Sequence, residues 1–202
     1  GEPIPADTRL VIIPGSKSTV SDLAAVRKEG WDIDLLAHVR RGGLVLGLCG
    51  GYQMLGRLVS DPQGLEGAQG SVPGLGLLDV VTVLGREKRL ATVSGWENTS
   101  RASVSGYEIH MGKTDGPDCT RPLLKLDDTG EGATNQGARV SGCYLHGIFA
   151  SDAFRAAYLA TLDAKSSVVF EDQVEQALDA LAAHIEAYFD LDALLEAAAE
   201  VK

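Results

Sequence analysis

The chain has 202 residues, 45% of them hydrophobic and 23% charged, with a formal net charge of -10. That length allows one large domain or a domain with an appendage, and the composition excludes both disorder and a disulfide-stapled miniprotein. Lys and Arg are not clustered as a phosphate backbone requires, and no apolar run reaches the roughly 20 residues that cross a bilayer, so neither nucleic acid nor membrane is an expected partner.

Residues 1–8, opening Gly1-Glu2-Pro3-Ile4-Pro5, read as a linker remnant ahead of the folded part. Residues 9–13 are a short β-branched apolar run closed by Pro14-Gly15-Ser16, a buried strand entering a turn. A helix follows, capped by Ser21 or Asp22. A second, carrying Ile33, Leu35, Leu36 and Val39, ends at Arg40-Arg41-Gly42-Gly43. Residues 44–48 form the continuous apolar run of a parallel strand covered on both faces, and Tyr52 to Gly56 begin another helix. Residues 60–76, rich in Gly, Pro and Ser, read as a long surface loop.

Further strands are expected at 77–84, 91–93, 103–110 and 139–145, joined by polar turns such as Asp127-Asp128-Thr129-Gly130. Residues 152–162 and 173–195 are expected to be helical. Residues 9–165 therefore read as one α/β domain with an antiparallel portion, and 166–202 as an acidic helical extension of it. Residues 171–202 hold nine acids and one lysine. Their apolar side, Leu178, Leu181, Ile185, Tyr188 and Leu191, is expected to pack while the charges stay solvated; the alternative is a docking surface for a further domain. Cys49, Cys119 and Cys143 fit neither a disulfide framework nor a metal-ligand spacing, which suits a reducing cytoplasm and no metal site.

The most informative segment is Gly47-Leu48-Cys49-Gly50-Gly51-Tyr52-Gln53, between a buried strand and a helix. It has the form of a nucleophile elbow, where side chains two residues either side of the nucleophile would collide and glycine removes them. A cysteine at a helix N-terminus gains thiolate character from unpaired N–H groups, and the Gly50 N–H would face a developing oxyanion. A phosphate loop is the rival reading, but no lysine follows as in GxxxxGK[ST]. A cysteine nucleophile needs a base. Of the four histidines, His38 and His184 lie in helices and read as partly exposed residues without a chemical task. His146 ends a strand before Gly147, where either a catalytic or a core histidine fits. His110 shares a strand face with Glu108, as a ligand-facing or a structural pair.

Pro14-Gly15-Ser16-Lys17, the Cys49 elbow, Gly106-Tyr107-Glu108-Ile109-His110-Met111-Gly112 and Tyr144-Leu145-His146-Gly147 occur in this order along one chain. Together, over about residues 8–195, they resemble the cobyric acid synthase family, specifically its C-terminal glutamine amidotransferase domain of class I. The form GYEIHMG favours that family over the related cobyrinic acid a,c-diamide synthases. The resemblance implies a mixed, mainly parallel sheet flanked by helices with a C-terminal helical extension, lacking the strand and helix that open the fold in the family.

It implies further that Cys49 attacks the side-chain amide of glutamine to give a thioester and ammonia, and that His146 transfers the protons. Backbone N–H groups of Gly50 and of Gly15 or Ser16 would hold the oxyanion, and Gln53 would help hold glutamine. Many class I enzymes carry a glutamate two residues after the histidine. Here that position is Ile148, so a Cys-His dyad is expected, with Tyr107, Glu108, His110 and Asp152 as candidates for support. The ammonia would pass to a further domain that binds ATP and Mg2+ and amidates corrinoid carboxylates, no cofactor being expected in this chain. The alternatives are the glutaminase domain of a cobyrinic acid a,c-diamide synthase and a non-catalytic docking module of the same fold.

Overall fold

The computed structural model describes residues 1–198; residues 199–202 of the expected extension lie outside the described residues. In chain order, β1 (Leu10–Ile13) leads into α1 (Thr19–Lys28), α2 (Trp31–Arg40), β2 (Leu44–Leu48) and the short α3 (Gly50–Leu55). Then come β3 (Leu58–Asp61), β4 (Gly70–Pro73), β5 (Val81–Glu97), β6 (Ser103–Asp115), β7 (Leu124–Leu126), β8 (Thr129–Glu131) and β9 (Ala133–Thr134). β10 (Val140–Cys143), β11 (Leu145–His146) and α4 (Asp152–Ala160) complete the first of two units, residues 1–165. The second unit carries α5 (Phe170–Tyr188) and α6 (Leu191–Ala197).

The first unit is built on two sheets. One has the order β1-β2-β10-β9, with β1, β2 and β10 parallel and β9 antiparallel. Adjacent residues of β2 enter different cores: Val45 packs with Leu23, Leu35 and Leu55, while Leu46 packs with Val93, Val104 and Phe154. A strand buried on both faces has no polar alternation, which is why residues 44–48 are apolar throughout. The other sheet runs β11-β6-β5-β3-β4, with the β7–β8 hairpin paired to β5.

The expected mixed sheet is present, but its parallel pairing is confined to β1-β2-β10 and to β3 with β5. The reason is the long antiparallel ladder of β5 and β6, whose inward residues Val93 and Val104 cover the face of β2 carrying Leu46. Residues 77–84 and 91–93 do not form two strands, because the ladder resumes beyond an irregularity between Val83 and Lys88 and makes one strand of 17 residues. The expected loop at 60–76 contains β4 and the end of β3, paired from Leu58↔Pro73 to Asp61↔Gly70. The Asp127-Asp128 turn is found: both residues have positive φ, 45° and 66°, and link Leu126 to Thr129 in a two-residue hairpin.

Helix boundaries also shift. α1 starts three residues before Asp22, whose carboxylate accepts from the Ser16 hydroxyl instead of capping the helix. Residues 1–8 are not a loose linker: the Ile4 N–H donates to Asp34, the Trp31 indole N–H donates to the Glu2 carbonyl, and Ile4 packs on the core. His38, expected to be partly exposed, is buried with Nε2 3.0 Å from the Leu44 carbonyl oxygen. In the second unit the single expected helix is two, because Phe189 is extended and the Asp190 carboxylate caps α6 by accepting from the Ala193 N–H. Among the described residues of that unit nothing buries Leu178, Leu181, Ile185 or Tyr188, so the packing expected of them is not made there; the Leu191 side chain lies outside the description.

Candidate active site

β2 carries the chain to Leu48, and the next residue turns it sharply. Cys49 has φ 50° and ψ -111°, a conformation that non-glycine residues rarely adopt. Its N–H donates to the Cys143 carbonyl at 2.8 Å, extending the β2–β10 ladder, and its own carbonyl accepts from the Gln53 N–H, opening α3. The flanking glycines are close approaches. A Cβ on Gly47 would lie 2.8 Å from the Gly51 carbonyl carbon, and one on Gly51 would lie 2.1 Å from the Ile13 carbonyl oxygen. The elbow is therefore held in a slot between β2 and the end of β1.

The Pro14-Gly15-Ser16-Lys17 turn after β1 lies over this elbow. A Cβ on Gly50 would come within 2.8 Å of the Ser16 nitrogen, which puts two expected oxyanion donors, the backbone amides of Ser16 and Gly50, side by side. A Cβ on Gly15 would lie 3.5 Å from the Cys49 Cβ and 3.7 Å from His146 Cε1, so Gly15 stands between nucleophile and base candidates. The Ser16 hydroxyl is engaged within its own turn: it donates to Asp22 and accepts from the Ser18 N–H at 2.8 Å.

His146 comes from β11, paired antiparallel with β6 in the register His146↔Tyr107. Among the described residues, its hydrogen-bond contact is Nε2 to the Ile109 carbonyl oxygen at 3.3 Å. The Cys49 Sγ is 3.5 Å from the same oxygen. One backbone carbonyl thus gathers thiol and imidazole, and the Tyr107 ring is stacked on the imidazole at 5.2 Å and 6°. Ile148 is buried in the core, so nothing from that position reaches the histidine. Asp152 is paired with Arg155 within α4.

The other expected residues lie behind this group. Glu108, 4% exposed, and His110 line a cavity of about 300 Å3 with Tyr52, Thr114, Cys119 and Tyr144. They share a face as expected. His110 stacks on Tyr144 at 3.8 Å and its Nδ1 lies 3.1 Å from the Gly112 carbonyl. The amide of Gln53 is engaged with the protein itself. Its Oε1 accepts from the Thr19 hydroxyl at 2.8 Å, and its NH2 donates to the Met111 carbonyl and the Tyr144 hydroxyl at 3.1 and 3.2 Å.

The electrostatics correct one expectation. Burial pushes the Cys49 thiol up, and the Gly50 N–H offsets only part of that. α3 has six residues, so the helix-end effect expected to favour thiolate is outweighed by desolvation. Burial likewise raises the Tyr144 hydroxyl to about 12, against the hydrogen bonds from Thr114 and Gln53. Three contributors escaped the sequence reading: the Ile109 carbonyl, Tyr144 and Thr19. A carbonyl has no residue signature, but Tyr144 stood two residues before His146 and was open to notice.

An elbow cysteine at the end of a parallel strand, with a strand-end histidine gathered to it by one carbonyl, is the arrangement expected of a glutamine amidotransferase type of protein. The fold agrees: a solved glutamine amidotransferase matches with TM-score 0.53 at 19% identity, covering 76% of this chain and 78% of that one. PurLQS from Thermotoga maritima matches with TM-score 0.59 at 17% identity, covering 80% and 82%. The chain belongs to the CobB/CobQ-like glutamine amidotransferase domain family, whose profile matches residues 1–154. Cobyric acid synthase of Cereibacter sphaeroides is 58% identical over 196 residues, and that of Bradyrhizobium diazoefficiens 57% over 199. These matches cover 96% and 98% of this chain but 41% of each relative, so the chain spans about two-fifths of their length.

Proposed function

We propose that this chain is the glutaminase part of a cobyric acid synthase, with Cys49 as nucleophile and His146 as general base and acid. The observation that carries the reading is the convergence of the strained Cys49 thiol and the His146 imidazole on one carbonyl, with Gly15 bordering both. Burial raises the thiol, and the imidazole takes its proton as sulfur attacks the glutamine side-chain carbonyl carbon. The oxyanion is received by the amides of Gly50 and Ser16, each such donor typically contributing about 100-fold or more in rate. The imidazolium returns the proton to the leaving nitrogen, the C–N bond breaks and ammonia departs from a glutamyl thioester. Water activated by the imidazole cleaves the thioester to glutamate and free thiol.

The ammonia would serve ATP-dependent amidation of corrinoid carboxylates, with ATP and Mg2+ bound outside this segment. The 58% identity to a cobyric acid synthase supports that assignment. The test is mass-spectrometric mapping of 6-diazo-5-oxonorleucine with and without glutamine. Glutamine-protected modification confined to Cys49 and lost in His146→Ala is expected. Labelling of Cys49 no faster than of Cys119 in a folded chain would overturn the reading.

A further inference from the structure

Resting on the assignment of His146 as the base, we propose that Tyr107 is a positioning residue for it. A base that must meet a thiol needs its ring fixed in plane and in rotation, the part a third group plays in nucleophilic sites. Here β6 supplies both constraints from one strand. The Tyr107 ring, nearly parallel to the imidazole, sets its plane, and the Ile109 carbonyl, two residues on, sets its rotation through Nε2. The stack is enforced by the backbone: register places His146 opposite Tyr107, and Gly106 lets β11 approach so closely that a Cβ there would lie 2.0 Å from the His146 carbonyl oxygen.

Tyr107 is 45% exposed, which a core-packing role does not require. Of the other expected supports, Ile148 is buried in the core and Asp152 is paired with Arg155. Offset stacking of this kind is directional enough to hold an imidazole against tilting out of its plane, whereas an aliphatic neighbour is not.

The experiment uses the full chain with Tyr107→Phe, Tyr107→Leu and, as a second non-aromatic variant should Leu disturb folding, Tyr107→Thr. Glutaminase kinetics, the rate of Cys49 alkylation by iodoacetamide and the NMR shifts of the His146 ring protons are read together. The non-aromatic variants are expected to lose about tenfold in kcat with KM within about twofold, to slow alkylation similarly, and to move the ring-proton resonances. Tyr107→Phe, which keeps the ring, restores all three to near wild type. A non-aromatic variant with wild-type kcat and alkylation overturns the proposal, as does a rise in KM alone, which would make Tyr107 a substrate contact. If the wild-type chain hydrolyses no glutamine, the proposed function fails; the alkylation and NMR results still decide the role of Tyr107.

Discussion

The Thr19 hydroxyl donates to the Gln53 side-chain oxygen at 2.8 Å, with both residues buried. This bond ties the helix after the Pro14–Lys17 turn to the helix after the nucleophile, so the two sources of oxyanion donors are held to each other. Thr19→Val keeps the shape but leaves a buried amide oxygen without its donor, at a cost of about 1–3 kcal/mol. Denaturant unfolding is expected to show that loss, and labelling of Cys49 by the glutamine-mimicking electrophile to slow about tenfold. Unchanged labelling would mean that the two helix ends are positioned independently.

Gly15 and Gly51 make a contrasting pair. Gly51→Ala forces a methyl to within 2.1 Å of the Ile13 carbonyl, which only backbone movement relieves, so a loss of about 1–3 kcal/mol and of activity is expected. Gly15→Ala meets ordinary contact distances of 3.5 and 3.7 Å and should fold within about 0.5 kcal/mol of wild type. Its methyl nevertheless enters the space between Cys49 and His146, so glutaminase activity should fall while the melting temperature does not.

The buried thiols make stability depend on alkaline pH. Burial raises Cys143 well above the ordinary thiol value, with Glu131 adding to the effect, and burial raises Cys49 as well. A group held protonated in the folded state contributes in full below its unfolded pKa, about 8.5 for a thiol, and loses that contribution as pH rises toward the folded value. The denaturation midpoint should therefore fall above about pH 8.5, and less steeply in Cys143→Ala. An identical slope in that variant would assign the effect to other groups.

At the acid end the informative group is Asp61. Its carboxylate accepts from the N–H groups of Glu66 and Leu65 at 2.8 and 2.9 Å, which hold it below the usual carboxylate range. Glu66 in turn accepts from the Val20 N–H at the start of α1. The contribution of this loop is present above the unfolded carboxylate pKa, about 3.9, and is lost as pH falls further. Asp61→Ala should speed amide exchange in residues 62–66 and at Val20 at neutral pH; protection unchanged at Val20 would separate the loop from the helix.

Local chemistry made the elbow legible without coordinates. The glycines at 47 and 51 have to be small because residues four apart meet across one turn, and the Asp127-Asp128 pair supplies two residues that tolerate positive φ. The run at 44–48 reads as a strand because burial on both faces removes polar alternation; the run at 9–13 also forms its strand, but at the sheet edge with Ile12 42% exposed, so the full burial expected of it is not made. Strand pairing was not legible to the same degree: β5 continues past its irregularity because β6 resumes the ladder, and β4 exists because β3 offers it an edge.

The surroundings of His146 belong to the tertiary structure alone. Its carbonyl partner lies 37 residues away in sequence, carries no side-chain signature and meets the imidazole only through the β6–β11 pairing. The direction in which the Cys49 thiol is shifted was decided the same way. The sequence places that thiol at a helix start, which favours the thiolate, but desolvation depends on everything packed around the sulfur and outweighs six residues of helix. The sequence alone determined where the elbow cysteine stands and why its neighbours are glycine; long-range packing decided which groups meet it and that burial raises its thiol, because burial and strand register are properties of the assembled chain.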